Sequence, residues 1–195
     1  ARAVGYATYD ILTPRILLVT DPEDPGTGYG DPRLGLDAAG YGFDVADYGS
    51  GIAGALDLHT VNFYEYDAVL VASTFGGWLK QVEIDILNAR GQELIDFVNA
   101  GGGLIVLSQA NSLSGATFAN AFGFLPAVGF KTAHQYEEGF ALTEFGRTLG
   151  LVETDITGNF AHGYFEFTGG LTPVDRDAGG RPVSLAMRGD RKSVV

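Results

Sequence analysis

One apolar run behind three glycines constrains the fold of this chain more than any other stretch. Residues 104–107 (Leu-Ile-Val-Leu) are typical of a short strand that is buried on both faces. Residues 101–103 are all glycine, which indicates that a preceding helix ends and the chain reverses there. In an open parallel sheet, ligands bind in the crevice at the carboxyl ends of the strands. The polar residues that follow the run therefore predict one rim of a crevice: Ser108, Gln109, Asn111 and Ser112.

The rest of the chain alternates strand patterns with helix patterns up to residue 112. Strands are predicted at residues 15–20, 41–48, 67–73 and 104–107, with helices at 34–39, 52–58 and 82–100. Asp31 and Pro32 are suited to the N-cap and first turn of the first helix, and Gly91 is a weak point in the last one. This order is typical of a doubly wound, mainly parallel α/β sheet. Beyond it, a capped short helix is predicted at 143–149, strands at 164–167 and 171–174, and a hairpin turn at 175–182 before a return strand at 183–188.

Size and composition exclude several classes of function. The chain has 195 residues, of which 46% are apolar, which is enough for one domain with a sizeable core. A net charge of −12 argues against nucleic acid as a partner, and the absence of cysteine excludes thiol catalysis, disulfides and thiolate metal sites. No apolar run approaches the length of a membrane helix. We expect residues 1–14 to be an edge strand or linker and 15–195 a single domain, a fragment of a longer chain.

Several short phrases resemble one known superfamily. They are Ile-Leu-Leu-Val at 16–19, Leu-Asp-Ala-Ala-Gly-Tyr at 36–41, Tyr-Asp-Ala-Val-Leu-Val at 66–71, and a helix ending Phe-Val-Asn-Ala-Gly-Gly-Gly at 97–103. In this order they resemble the class I glutamine amidotransferase-like superfamily, over residues 15–112. The resemblance implies a flavodoxin-like three-layer α/β sandwich, here with a C-terminal antiparallel hairpin extension. It is closest to non-amidotransferase branches in secreted and carbohydrate-associated proteins, so it implies a secreted or cell-surface location.

The resemblance supports the predicted fold but argues against amidotransferase activity. Catalytic members of the superfamily place a nucleophilic cysteine in the turn after the fourth strand, and a histidine follows later in the chain. In this sequence that turn is Ser-Gln-Ala-Asn at 108–111, and the G-x-S-x-G pattern of a serine elbow is also absent. Gly76 and Gly77 match the place where the family forms its oxyanion hole. We therefore expect a domain that lacks amidotransferase activity and is not an enzyme.

The predicted ligand crevice combines the ends of three strands. Its residues would be Asp21, Ser73, Thr74, Gly76, Gly77, Ser108, Gln109 and Asn111. Tyr29 and Trp78 would flank the same crevice, and aromatic faces suit a sugar ring, so carbohydrate is one candidate partner. The alternative interpretation is that such aromatic residues belong to the core or to a lid.

A hydrolase is the competing hypothesis. Ser108 or Ser112 would be the nucleophile and His162 or His134 the base, because a hydroxyl is inert until a base takes its proton. The substrate would be an amide, an ester or a carbohydrate. Against this, serine after a strand is an ordinary cap for the next helix. A third hypothesis is a self-assembling surface or filament subunit, whose partners would be copies of itself or other domains of the same longer chain.

An acidic loop after the first strand predicts a candidate calcium site. Its carboxylates are Asp21, Glu23, Asp24 and Asp31, and oxygen ligands of this kind suit calcium. Their spacing does not match the EF-hand pattern, and a solvated turn is the simpler interpretation. Residues 26–30 (Gly-Thr-Gly-Tyr-Gly) lack both the spacing and the lysine of a phosphate-binding loop, so a nucleotide role is rejected. The three histidines lack the short spacing of a zinc site.

Overall fold

The structure, a computed structural model, describes residues 14–21, 32–51, 53–73, 79–107, 123–125, 128–136, 139–156 and 161–187, with the backbone alone at 132–136 and 162. The strands are β1 (Ile16–Val19), β2 (Phe43–Asp47), β3 (Ala55–Asp57), β4 (Ala68–Val71), β5 (Gly103–Val106), β6 (Val128–Tyr136), β7 (Ala141–Leu142), β8 (Ala161–Thr168), β9 (Thr172–Arg176) and β10 (Pro182–Ala186). The helices are α1 (Pro32–Ala38), α2 (Gln81–Ala89), α3 (Gly91–Asn99) and α4 (Glu144–Thr148).

A five-stranded parallel sheet in the order β3-β2-β1-β4-β5 forms the centre of the fold. Strand β1 pairs with β2 on one side, where Leu18 lies opposite Val45, and with β4 on the other, where Leu18 lies opposite Leu70. Without the short edge strand β3, the order is the one that flavodoxin-like folds use for their first four strands. The prediction of a flavodoxin-like α/β fold with a mainly parallel sheet is therefore confirmed.

Helices α2 and α3 cover one face of this sheet. Their apolar residues pack on the alternate strand residues that face them, because successive side chains of a strand point to opposite faces. The fully buried members of this core include Leu17, Val19, Val69, Val71, Ile84, Leu87 and Leu94. The chain leaves β1 toward β2 and later returns to β4 on the other side. The carboxyl ends of β1 and β4 therefore form the switch point at which such sheets bind ligands.

Two predicted helices are wrong in detail. Residues 52–58 were expected to be helical, but Ala55–Asp57 is strand β3, which lies beside β2 with Val45 opposite Ala55. Gly51 and Gly54 have positive φ angles of 78° and 89°, which a right-handed helix cannot contain. Pairing with β2 then satisfies the backbone of the segment.

The single helix predicted at 82–100 is two helices that meet at Arg90. Gly91 lies against Phe124, where a Cβ atom would be 3.2 Å from the Phe124 Cα. The Arg90 guanidinium donates to the carbonyls of Leu58 and Val61 and lies 4.0 Å from the ring centroid of Phe63. These contacts hold the junction between the helices at a position where the sequence has a glycine.

Strand β5 does not have both faces buried, so that prediction is also wrong. Ile105 and Leu107 are each 52% exposed, whereas Leu104 and Val106 pack on the core. In the part of the chain that the structure describes, β5 is the last strand of the sheet, and its pairing is with β4 alone. Two of the glycines before it have separate reasons: Gly101 has a φ of 103° after the end of α3, and a Cβ at Gly102 would lie 2.2 Å from the Phe97 ring.

The C-terminal part is antiparallel, as predicted. Strands β9 and β10 form the hairpin, β7 pairs with β9, and β6 pairs with β8. Helix α4 begins after Thr143, whose Oγ1 accepts a hydrogen bond of 3.1 Å from the Gly146 amide, so the predicted capping start is confirmed. Among the described residues, no helix has the length and apolar character needed to span a membrane.

Candidate functional site

The switch point between β1 and β4 brings together two of the predicted crevice residues. Asp21 follows β1 and Ser73 follows β4, and the amide of Ala72 donates to the carbonyl of Val19 between the two strand ends. The other predicted crevice residues lie outside the described residues: Thr74, Gly76, Gly77, Ser108, Gln109 and Asn111. The crevice as a whole therefore stays a prediction, and the structure describes only the side formed by Asp21 and Ser73.

The candidate catalytic residues are described only in part. Ser108 and Ser112 lie outside the described residues. His134 and His162 lie on β6 and β8, which pair with each other, so the backbone places both histidines in one ladder. The serine–histidine hypothesis stays a prediction.

Asp21 is paired with a lysine that sequence reasoning missed. The Asp21 side chain is 1% exposed, and its Oδ2 forms an ion pair with Nζ of Lys80, at the start of α2. Lys80 is itself 47% exposed, and its Nζ lies 5.2 Å from the ring centroid of Tyr48. The ammonium therefore lies between a buried carboxylate and an aromatic ring at the edge of the crevice.

Glu83 is a second buried carboxyl group in this cluster. It is fully buried, and its Oε2 accepts a hydrogen bond of 2.9 Å from the Lys80 amide, which is one half of a capping box. Its Oε1 has no hydrogen-bond partner among the described residues. Burial raises the pKa of Glu83 to about 6, and the nearby charge of Asp21 raises it too, while backbone hydrogen bonds and Lys80 oppose the rise.

A tight turn after β2 positions Tyr48. Buried Asp47 accepts hydrogen bonds from the amides of Gly49 at 2.8 Å and Ser50 at 3.2 Å, and from the Ser50 hydroxyl. Gly49 has a φ of 84°, which a residue with a side chain rarely adopts, and a Cβ there would lie 3.2 Å from Oδ1 of Asp57. The Tyr48 ring therefore lies on a turn whose conformation is fixed by its own residues Asp47, Gly49 and Ser50.

These groups offer a polar ligand a donor, acceptors and an aromatic face. Buried carboxyl groups that lack full compensation at a cleft are typical of functional sites, although structural ion pairs produce the same signal. Within the described ranges, no group of three or more histidine, aspartate or glutamate side chains could hold a metal ion. Three of the four predicted calcium ligands lie outside those ranges: Glu23, Asp24 and Asp31. The calcium site thus stays a prediction.

Two other buried acids belong to the C-terminal hairpin. Asp177 accepts hydrogen bonds from the amides of Gly179 and Arg181, both at 2.9 Å, and pairs with Nε of Arg181. Burial raises the pKa of Asp177, but these hydrogen bonds outweigh it and hold the pKa below its usual value. Burial raises the pKa of Asp175, whose Oδ1 accepts from the Ser184 amide. Asp177 therefore holds the turn in place, as expected at a hairpin tip, and Asp175 joins strand β9 to β10.

A depression of about 330 Å³ lies at the opposite, amino edge of the sheet. Its lining comes from the starts of β1 and β2: Pro14, Arg15, Ile16, Gly42, Phe43 and Asp44. It is separate from the predicted crevice, because the strands are parallel and their starts and ends lie at different edges.

Comparisons with known proteins were made by family profile, by sequence and by structure. No family profile matches the chain, and no curated protein sequence matches it. A crystal structure of a glutamine amidotransferase from Thermotoga maritima is similar to this structure at 12% sequence identity and a TM-score of 0.49, covering 87% of this chain and 70% of that chain. The fold assignment rests on strand order and pairing, which are independent of that similarity.

Proposed function

We propose that this chain is a non-catalytic amidotransferase-like domain of a larger, extracellular protein and that it binds a ligand at the carboxyl edge of its parallel sheet. The observation that carries the proposal is the cluster of Asp21, Lys80 and Glu83 at the switch point. Burying ionisable groups is costly, so a protein keeps such a cluster where it has a use. The extracellular setting is supported by the resemblance to secreted proteins.

The missing nucleophile supports a role other than amidotransfer. Catalytic members of the superfamily resembled by this chain use a cysteine, and this chain contains none. Glu83 is an ionisable group at this edge of the sheet, but its carboxyl is fully buried and one of its oxygens caps α2. A group in that position tunes its neighbours and does not contact a substrate.

The chemistry of the exposed part of the cluster favours a hydroxyl-rich ligand such as a carbohydrate. The Lys80 ammonium can donate to a hydroxyl or ring oxygen, and the Tyr48 face can stack on a sugar ring. A ligand anion would be repelled by Asp21 and by ionised Glu83, and a ligand cation would meet Lys80 first. A neutral polyol avoids both penalties.

Binding of neutral mono- and oligosaccharides, measured by calorimetry and by NMR shifts of the Tyr48 and Lys80 amides, tests the proposal. We expect Lys80→Met and Tyr48→Leu each to weaken binding about tenfold or more, since each removes a charge-assisted hydrogen bond or a stacking surface. Lys131→Met is the matched control, because Lys131 forms an exposed ion pair with Glu166 on another sheet. The proposal fails if no sugar binds, or if all three variants bind as the wild type does.

The same protein distinguishes the two alternative functions. A hydrolase predicts turnover of an ester, amide or glycoside that Ser108→Ala and His162→Ala both abolish. A self-assembling subunit predicts dimers or larger species in sedimentation at micromolar concentration, since specific interfaces bury more than roughly 1,000 Å². Turnover would replace the binding proposal, and assembly without ligand binding would select the third hypothesis.

A further inference from the structure

The amino-edge depression contains an arginine whose binding capacity is only partly used. Nη2 of Arg15 donates to Oδ2 of Asp44 at 3.2 Å. Its Nε and Nη1 make no hydrogen bond to any residue that the structure describes, and the side chain is 59% exposed. A guanidinium has five donors in one plane and two edges that can hold a carboxylate, and Nη2 takes part in both, so one edge remains for another partner.

Rigid elements hold this arginine in place. The amide of Arg15 donates to Oδ2 of Asp67 at 2.8 Å, and the carbonyl of Arg15 accepts from the Asp67 amide at 2.9 Å. The guanidinium carbon lies 4.9 Å from the ring centroid of Tyr66. The Tyr66 hydroxyl donates to Oδ2 of Asp44 at 2.9 Å, so Tyr66 contacts both Arg15 and Asp44 and holds them in place. A group positioned in this way loses little conformational entropy when a ligand binds.

The remainder of the depression is largely apolar. Pro14, Ile16 and Phe43 line it, all of them partly buried. Its volume of about 330 Å³ is at the small end of the range for ligand sites. A ligand of this size that uses both kinds of surface needs one planar anionic group and one compact apolar group.

We propose that this depression binds small carboxylates that carry an apolar group, with the carboxylate on the free donors of Arg15 and the apolar group against Phe43, Ile16 and Pro14. This site is separate from the crevice at the carboxyl edge and does not depend on its function. A planar carboxylate matches the fork of a guanidinium, because its two oxygens can accept two parallel N–H bonds.

Asp44 sets the affinity of the proposed site. Its carboxylate neutralises part of the Arg15 charge, and its Oδ1 forms no hydrogen bond with a described residue. A bound carboxylate would lie close to this like charge, so we expect millimolar binding in the wild type. Asp44→Asn removes the repulsion and keeps an oxygen that can accept the Tyr66 hydroxyl. The variant should therefore bind carboxylates several-fold more tightly, an effect opposite to that of most substitutions in a binding site.

Titration of the full chain with benzoate, followed by NMR shifts of the Gly42, Phe43 and Asp44 amides, tests this proposal. Acetate lacks the apolar group and benzyl alcohol lacks the charge, and each should bind about tenfold more weakly than benzoate. Arg15→Met should weaken benzoate binding about tenfold or more, consistent with the loss of a charge-assisted hydrogen bond. Arg176→Met is the control, because Arg176 is an exposed arginine of the C-terminal hairpin.

Each outcome of this titration decides the proposal. Benzoate shifts confined to the amino edge, stronger in Asp44→Asn and weaker in Arg15→Met, support it. The proposal is overturned if benzoate causes no saturable shift, if the shifts map to Tyr48 and Lys80, or if benzyl alcohol binds as well as benzoate. Should Arg15→Met lose its native spectrum, Arg15→Lys replaces it. Lysine keeps the charge without the planar fork and should still weaken benzoate binding several-fold.

Discussion

Glu83→Gln should remove a pH-dependent loss of stability. The pKa of this buried carboxyl rises from 4.5 to about 6, chiefly through burial. A difference of about 1.5 corresponds to about 2 kcal/mol of unfolding free energy, at about 1.4 kcal/mol per pKa unit. Because the folded pKa is the higher one, the stabilising contribution is complete below pH 4.5, falls as pH rises through 6, and is absent above about pH 7.

Glutamine isolates this effect because it stays neutral throughout and keeps the cap. Its side-chain oxygen can accept the Lys80 amide as Oε2 of Glu83 does at 2.9 Å. Its NH₂ group would occupy the position of Oε1, which has no described partner. Relative to the wild type, Glu83→Gln should therefore gain about 2 kcal/mol between pH 4.5 and 7.5, although its absolute offset depends on where that NH₂ finds an acceptor.

Urea unfolding of both proteins at pH 4.5, 5.5, 6.5 and 7.5, with EDTA present to remove calcium, measures the difference. Other carboxyl groups titrate in the same range, but they do so in both proteins and cancel in the comparison. A difference in free energy that stays constant with pH would refute the reasoning, because Glu83 would then titrate alike in the folded and unfolded chain. A difference that runs the other way would mean that Lys80 stabilises the carboxylate more than burial destabilises it.

Three further substitutions test the fold around the site. Arg90→Ala should cost about 3 kcal/mol in urea unfolding, since it leaves two part-buried carbonyls without their donor and removes a cation–π contact; a cost below 1 kcal/mol would show that water replaces the guanidinium. Gly102→Ala should cost about 2 kcal/mol or more, because its Cβ would overlap the buried Phe97 ring, and Phe97→Leu in the same chain should recover part of that loss. Asp177→Ala should cost about 2 to 3 kcal/mol through three lost hydrogen bonds. Amide hydrogen exchange should become faster in the β9–β10 hairpin alone. Unchanged protection there would contradict the role of Asp177 in holding the turn.

The positions of four of the parallel strands along the chain were predictable because each of the four carries its own local signal. Short β-branched apolar runs between turn signals indicate buried strands wherever they occur. Strand β3 has no such signal, since Ala55–Asp57 is held by pairing with β2 and not by its own side chains. The exposed face of β5 was likewise unpredictable, because Ile105 is as apolar as its buried neighbours and only its place in the sheet distinguishes it.

The charged cluster had one sequence signal that could have revealed it. Glu83 precedes Ile86 and Leu87 by three and four residues, so it falls on the apolar face of α2. A charged residue within such a stripe is buried with a partner or belongs to a site. The sequence could not name Tyr48 as a neighbour of the cluster, because Tyr48 follows β2 and only the tertiary fold brings its ring to Lys80.

The Asp21–Lys80 ion pair is not by itself what distinguishes the candidate site. With 12 lysine and arginine residues against 24 aspartate and glutamate residues, cations are scarce in this chain. Among the residues that the structure describes, four cations nevertheless share one arrangement, in which each pairs with a carboxylate and lies over an aromatic ring: Arg15 with Asp44 and Tyr66, Lys80 with Asp21 and Tyr48, Arg90 with Glu93 and Phe63, and Arg181 with Asp177 and Tyr164. The repetition indicates a structural role for the pairing itself, and three of the four cations are arginines.

Lys80 differs from the three arginines because two buried carboxyl groups, Asp21 and Glu83, lie near its single ammonium group. Lysine presents one compact ammonium, whereas an arginine fork could donate to Asp21 and to Oε1 of Glu83 together, and this Oε1 has no hydrogen-bond partner among the described residues. Lys80→Arg should therefore lower the pKa of Glu83. When Glu83→Gln is made in the Lys80→Arg protein, its pH-dependent gain in unfolding free energy should be less than half of the gain in the wild type. The same urea series at pH 4.5 and 7.5 checks this. If the gain stays at about 2 kcal/mol, burial alone sets the titration of Glu83, and the uncompensated carboxyl belongs to the packing of α2 and not to a ligand site.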